Sequence, residues 1–183
     1  MLVLVSETID KSTRNYIDVE PDFLLKIIEN DYGLHEVIPM HDFNIYVRLF
    51  FDIDIELFKP GEYINLNDLI YTIMDILNNY YNTSYDDWTF TSATNEKKIS
   101  YHIYSNKYCT KLNKLKNDVD KMNNPYFDKE VYNFSINFCK DEGSFRLPNQ
   151  SKKSINKEGG IHKIIKGELK NCLVTQINGL IKI

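Results

Sequence analysis

The chain has 183 residues, 43% of them hydrophobic and 13% aromatic, enough to fill one domain or one domain built of two small modules. No apolar run approaches the roughly 18 residues that a membrane-spanning helix needs, so no membrane partner is expected. The net charge of −4 hides a strong asymmetry: residues 1–96 carry 5 Lys and Arg against 18 Asp and Glu (net −13), and residues 97–183 carry 17 against 8 (net +9). A nucleic-acid partner would therefore sit on the second half, because phosphate contacts need clustered Lys and Arg. The alternative is that the two halves neutralise one another across an internal interface. Cys109, Cys139 and Cys172 are odd in number and widely spaced, with no C-x-x-C pair. This argues against a disulfide framework and a cysteine zinc site, and fits an intracellular, reducing compartment. Heavy use of Asn, Lys, Ile and Tyr points to an AT-rich genome such as that of a virus or mobile element.

Leu2-Val3-Leu4-Val5 reads as a first strand; with no basic n-region, a short apolar run from Met1 and Ser6-Glu7-Thr8 directly after, the start is not a signal peptide. Glu20-Pro21-Asp22 opens a helix whose Phe23, Leu24, Ile27 and Ile28 recur at helical spacing, ended by Asp31-Tyr32-Gly33. Pro39 to Asn44 reads as a loop. Val47 to Glu56 then reads as a strand, rich in β-branched and aromatic residues but with two aspartates in its middle. Alternation puts Arg48, Phe50, Asp52, Asp54 and Glu56 on one face and Val47, Leu49, Phe51, Ile53 and Ile55 on the other. Asp52 and Asp54 then lie roughly 6.6 Å apart along the strand, a spacing that suits oxygen ligands of divalent cations. A solvated acidic edge strand would look the same. Arg48 shares this face and could pair with Asp52 or touch a phosphate.

A helix capped by Asn65 or Asn67 follows, with Leu69, Ile70, Ile73, Met74, Leu77 and Tyr81 as its apolar stripe. Trp88 to Ser92 and Ile99 to Tyr104 read as a hairpin. Thr110 to Met122 reads as a helix with Leu112, Leu115, Val119 and Met122 inward, stopped by Asn123-Asn124-Pro125. Short β-like runs are expected around 130–134 and 144–147, a polar basic loop at 151–160, and a helical or extended end at 169–175. His35, His41 and His162 read as surface or loop residues. Strands and helices mix without a βαβ rhythm, which predicts an α+β two-layer fold with a mainly antiparallel sheet, one domain over 1–183.

Two further groups bear on chemistry. Lys98, Ser100 and His102 point the same way on a strand and set an ammonium, a hydroxyl and an imidazole in one row, an anion grip. Between Asp128 and Lys152, Asp128 precedes Val131-Tyr132, and Phe145-Arg146 and Ser151-Lys152 follow; an Arg fork and a Lys point charge suit a triphosphate. Each group read alone is also compatible with ordinary surface charge.

In this order the three groups resemble the motifs of the archaeo-eukaryotic primase superfamily. Phe51-Asp52-Ile53-Asp54 is similar to its first motif, Lys98-Ile99-Ser100-Tyr101-His102 to its second, S-x-H with an upstream Lys. Asp128 through Phe145-Arg146 and Ser151-Lys152 is similar to the third as it appears in the PrimPol branch. The nearest resemblance is to the primase domain of primase-helicases of nucleocytoplasmic large DNA viruses, and Asn171 to Thr175 resembles the segment closing that domain. The resemblance implies an RRM-like catalytic module joined to a smaller α/β module. It implies Asp52, Asp54 and Asp128 as ligands of two Mg2+ or Mn2+ ions, and Ser100 and His102 as phosphate holders with Lys98, Arg146 and Lys152 assisting. Its activity would be template-directed primer synthesis on single-stranded DNA from NTPs or dNTPs. The stretch from Tyr132 to Arg146 is longer than the family pattern, which makes Asp141 and Glu142 rivals to Asp128. No zinc module and no G-x-x-x-x-G-K-[ST] phosphate loop is present, so a helicase domain or replication protein would be fused or associated, and the chain is expected to be a stand-alone primase or, in preference, a fragment of a larger replication protein. The competing functions are a non-catalytic nucleic-acid-binding module of primase-like fold and a metal-dependent nuclease.

Overall fold

The computed structural model describes residues 3–8, 14–30, 32–40, 42, 44–56, 65–95, 98–123, 135–137, 143–154 and 157–183. In chain order the elements are β1 (Val3–Thr8), β2 (Arg14–Val19), α1 (Pro21–Ile27), β3 (Leu34–Val37), β4 (Tyr46–Glu56), α2 (Leu66–Tyr81), β5 (Trp88–Ser92), β6 (Lys98–Lys111), α3 (Leu112–Asn123), β7 (Ser135–Asn137), β8 (Ser144–Arg146), β9 (Lys152–Ser154), β10 (Lys157–Gly159), β11 (Lys163–Lys166) and β12 (Ile181–Lys182), with 3-10 turns at Tyr85–Asp87 and Leu169–Cys172. The fold is α+β. Its larger sheet runs β11-β5-β6-β4-β7, with β12 added to β6; the smaller runs β2-β1-β3-β8, and β9 and β10 form a separate hairpin. The pairings are antiparallel apart from the two-residue β12–β6 contact. Among the described residues no helix is long and apolar enough to cross a membrane.

The apolar face of β4 builds the larger core. Val47, Leu49, Phe51 and Ile53 are 0% exposed and share a cluster with Leu69, Ile73, Met74 and Leu77 of α2 and Leu112, Leu115, Val119 and Met122 of α3. Burial of such side chains contributes roughly 1.5–3 kcal/mol each, so this face fixes the register of β4 and forces Asp52 and Asp54 onto the opposite face. The two helices are tied by buried Asp118, which accepts from the Tyr80 and Tyr81 hydroxyls at 3.0 and 3.2 Å and pairs with Lys114 Nζ at 2.6 Å. Asn65 caps α2, accepting from Asn67 N at 3.1 Å, and Asn82 ends it in the left-handed conformation (φ 52°).

A second core of Val3, Val5, Val19, Leu24, Ile28, Leu34, Leu147 and Leu173 joins α1 to the smaller sheet. Two segments connect the cores. Phe145 in β8 packs into the larger one, and Leu173 and Val174 sit one in each. Gly143 delivers β8: its φ is +67°, and a Cβ there would lie 2.3 Å from the Ile38 carbonyl oxygen, so the turn into β8 admits only glycine without rearrangement.

Several segments differ from the sequence expectation. Residues 151–160 contain the β9–β10 hairpin where a loop was expected. β2, β3, β11 and β12 are additional strands, and β6 runs to Lys111, well past Tyr104. Arg146 lies on a strand of the smaller sheet, opposite His35, and not on the acidic sheet. The run expected around 130–134 lies outside the described residues.

Candidate functional site

β4 and β6 pair so that Asp52 stands opposite His102, Asp54 opposite Ser100 and Glu56 opposite Lys98. A one-to-one antiparallel register across a shared face makes these cross-strand neighbours. Ser100 Oγ donates to Asp54 Oδ1 at 2.8 Å, and Lys98 Nζ lies 2.7 Å from Asp54 Oδ2. His102 Nε2 is 3.7 Å from Asp52 Oδ1, beyond hydrogen-bond reach. That contact is not an ion pair: burial, and then the neighbouring His162 ring and the positive Arg146 and Lys98, hold His102 well below the ordinary imidazole range, so its ring is neutral. Ser100 and His102 of this row are not solvated, each being only 5% exposed, whereas Lys98 stays partly exposed.

The floor is aromatic. Phe50 meets Phe145 edge-on at 4.9 Å, and Phe145 lies 4.3 Å from the His102 ring. Behind it Tyr104 Oη contacts His102 Nδ1 at 3.3 Å. β8 itself, one residue after Phe145, carries Arg146 to the site. Its Nη1 donates to the Gly160 carbonyl at 2.8 Å, while its Nε is buried with no hydrogen-bond partner among the described residues. Burial pulls the guanidinium below the ordinary arginine value, opposed by the negative charge of Asp52 and Asp54. An Arg desolvated next to carboxylates, with one N–H unsatisfied, is an unusual expense for a fold and a usual feature of an anion site.

His162 is the residue that sequence reasoning misplaced. It is 1% exposed, not a surface residue. Its ring stacks on His102 at 3.6 Å and 19°, its Nε2 lies 3.5 Å from Ser100 Oγ, and its Nδ1 lies 3.2 Å from Thr91 Oγ1. No sequence alternation marks it: Lys163-Ile164-Ile165-Lys166 puts an apolar residue on each face of β11, Ile164 turned inward and Ile165 exposed. Burial, then Arg146, depress its pKa from 6.5 to about 3.

This depression has a consequence for stability. The unfolded chain takes up a proton on His162 below its ordinary 6.5 and the folded chain does not until about pH 3. The contribution of neutral His162 is therefore complete above pH 6.5 and is lost as pH falls from there towards 3. At pH 5 the loss is about 2 kcal/mol from this residue. Urea midpoints measured from pH 7.5 to 4.5 should fall across this window in the wild type and fall less in His162→Gln.

Arg48 does not reach Asp52. The β4–β6 register breaks between Arg48 and Phe50, and Arg48, 4% exposed, turns towards the C-terminal segment. It donates from Nε to Leu173 O at 3.1 Å, from Nη2 to Gln176 O at 3.0 Å and from Nη1 to Ser105 O. With all three nitrogens on carbonyls it is a clamp, not a phosphate contact. Asp128, Asp141 and Glu142 lie outside the described residues, and only the backbone of Lys152 is described, in β9. Among the described residues no three His, Cys, Asp or Glu side chains converge as a metal site; Asp52 and Asp54 supply two hard oxygen donors on one face. Comparison of the sequence with models of protein families and with curated proteins returned no match.

Proposed function

We propose that this chain is the catalytic domain of a primase or primase-polymerase, with the archaeo-eukaryotic primase arrangement of an RRM-like module and a smaller α/β module. One observation carries the reading: a carboxylate pair on β4 stands directly against a hydroxyl, a neutral imidazole and a desolvated, partly unsatisfied guanidinium. Cation ligands adjoining an anion grip are what transfer from a metal-bound triphosphate requires. The donor set fits as far as it is described. Asp52 and Asp54 are hard oxygen ligands, and Asp54 already attracts the Lys98 ammonium.

In this reading Asp52 and Asp54, with Asp128 as third carboxylate, hold two Mg2+ or Mn2+ ions. These ions, when bound, supply Lewis-acid stabilisation of the attacking and leaving oxygens. The chain's own groups bind and orient. Ser100 and the Nε2 edge of His102 present hydrogen-bonding groups to phosphate oxygens. Arg146 supplies the charge-assisted contact that its buried Nε lacks, and Lys98, on the exposed edge, and Lys152 add positive charge. A neutral His102 suits this role, because it can donate a hydrogen bond without competing with a cation for Asp52. The excess of Lys and Arg in residues 97–183 favours a single-stranded DNA template along that half, with a helicase or other replication protein as associated partner.

The test is primer synthesis on a single-stranded DNA template with labelled NTPs or dNTPs and Mn2+ or Mg2+. Products longer than a dinucleotide are expected. Metal- and nucleotide-dependent shortening of the template with no synthesis would instead identify a nuclease, and no reaction with retained DNA binding would identify a binding module.

A further inference from the structure

We infer that His162 is a positioning residue for the phosphate-holding pair Ser100 and His102, an inference that rests on the nucleotidyl-transfer reading of the site. The segment Gly160-Ile161-His162 touches three of the residues assigned to the anion grip. The Gly160 carbonyl accepts from Arg146 at 2.8 Å, the His162 ring stacks on His102 at 3.6 Å, and His162 Nε2 contacts Ser100 Oγ at 3.5 Å. The segment is itself fixed. Asn149 N donates to His162 O at 2.8 Å, and β11, directly after it, is paired with β5. Gly160 passes so close to β5 that a Cβ would lie 2.9 Å from the Ala93 carbonyl oxygen.

The hydrogen-bond directions follow from Ser100. Its one hydroxyl proton goes to Asp54 at 2.8 Å, so towards His162 its oxygen accepts. His162 then carries its proton on Nε2, and Nδ1 accepts from the Thr91 hydroxyl. The chain Thr91, His162, Ser100, Asp54 fixes the Ser100 rotamer, so that its hydroxyl is in place to donate to a phosphate oxygen when cations take up the charge of Asp54. The stacked ring blocks rotation of His102 on the side opposite Phe145, since His102 lies between Phe145 at 4.3 Å and His162 at 3.6 Å. His162, buried and neutral, acts through Ser100 and His102.

The experiment compares wild type, His162→Phe, which keeps a stacked ring but loses both hydrogen bonds, and His162→Gln, which keeps hydrogen bonding but loses the ring. Primer-extension kinetics should show the nucleotide KM rising about 10-fold in His162→Phe, the scale of misplacing a supporting contact, with kcat changed less. His162→Gln should recover part of the KM. In parallel, the side-chain 1H–15N signals of His102 should shift in both variants while amide signals of α2 and α3 stay in place, which separates local repositioning from unfolding. A nucleotide KM within 2-fold of wild type in His162→Phe, or unmoved His102 signals in both variants, would overturn the inference. If the wild type makes no primers the nucleotidyl-transfer reading fails instead, and the His102 signals alone then decide whether His162 positions the ring.

Discussion

Asp52→Asn and Asp54→Asn should each reduce primer synthesis by about 10^3-fold or more, the scale on which a single electrostatic group acts in acyl and phosphoryl transfer. Both changes keep the side-chain volume and leave the apolar face of β4, with Val47, Leu49, Phe51 and Ile53 fully buried, untouched. The folded state should survive. The two variants should still differ in a second measurement. Asp54 is held by Ser100 and Lys98 at 2.8 and 2.7 Å, so its amide disturbs both partners, whereas Asp52 stands 3.7 Å from a neutral His102. Nucleotide binding in the absence of divalent metal should therefore weaken more in Asp54→Asn than in Asp52→Asn. Retention of full synthesis by either variant removes that carboxylate from the metal set.

Glu36→Ala should be the most destabilising single change away from the site, by about 3 kcal/mol or more. Glu36 is 0% exposed. Its carboxylate accepts from Val174 N and Thr175 N at 2.7 Å each and from Thr175 Oγ1 at 2.6 Å. Removing it orphans one buried and two partly buried donors and withdraws the charge that faces the buried Arg48 guanidinium. Burial, against the opposing hydrogen bonds from Thr175 and Val174, raises the pKa of Glu36 above its ordinary 4.5. A raised carboxyl pKa means that folding disfavours the charged form relative to the protonated one. Its contribution is complete below 4.5 and declines as pH rises through the folded value, opposite in sign to that of His162. Urea denaturation of Glu36→Ala should show the lowered midpoint, and hydrogen exchange should show the loss concentrated at Val174 and Thr175. A midpoint within the error of wild type would mean that the buried carboxylate is dispensable.

The parts of this fold that could be read from the sequence are those whose periodicity reports burial. β4 alternates from Phe51 to Ile55, α2 and α3 show single apolar stripes, and Trp88–Ser92 with Ile99–Tyr104 carries enough β-branched and aromatic residues to read as a hairpin, although both strands are buried on both faces. Each of these elements packs against the larger core, so the pattern and the packing agree. β2 behaves differently: Asn15 to Asp18 are all exposed, and the strand exists through its ladder to β1, which leaves no hydrophobic signature. β3 has four residues and buries a glutamate, the reverse of what a strand pattern predicts. The pair Asp52 and Asp54 and the row Lys98, Ser100, His102 could be found because β4 and β6 bring them together in simple register. Arg48 and His162 could not. The partners of Arg48 at Leu173 and Gln176 are 125 and 128 residues away, and the ring that His162 covers belongs to a strand on the far side of α3.

The strapping of Glu36 and Arg48 by residues 173–176 also orders the events of synthesis. When a ribosome has released β1 through β11, both cores are present in outline, yet the carboxylate and the guanidinium still lack the carbonyls and amides that satisfy them, and Thr110 Oγ1 and Cys109 O still lack Ile183. A nascent chain at that stage holds two desolvated charges without compensation, and contacts spanning well over 100 residues are the last to close. The fold locks only when residues 173–176 have reached Glu36 and Arg48 and Ile181–Lys182 has paired with β6.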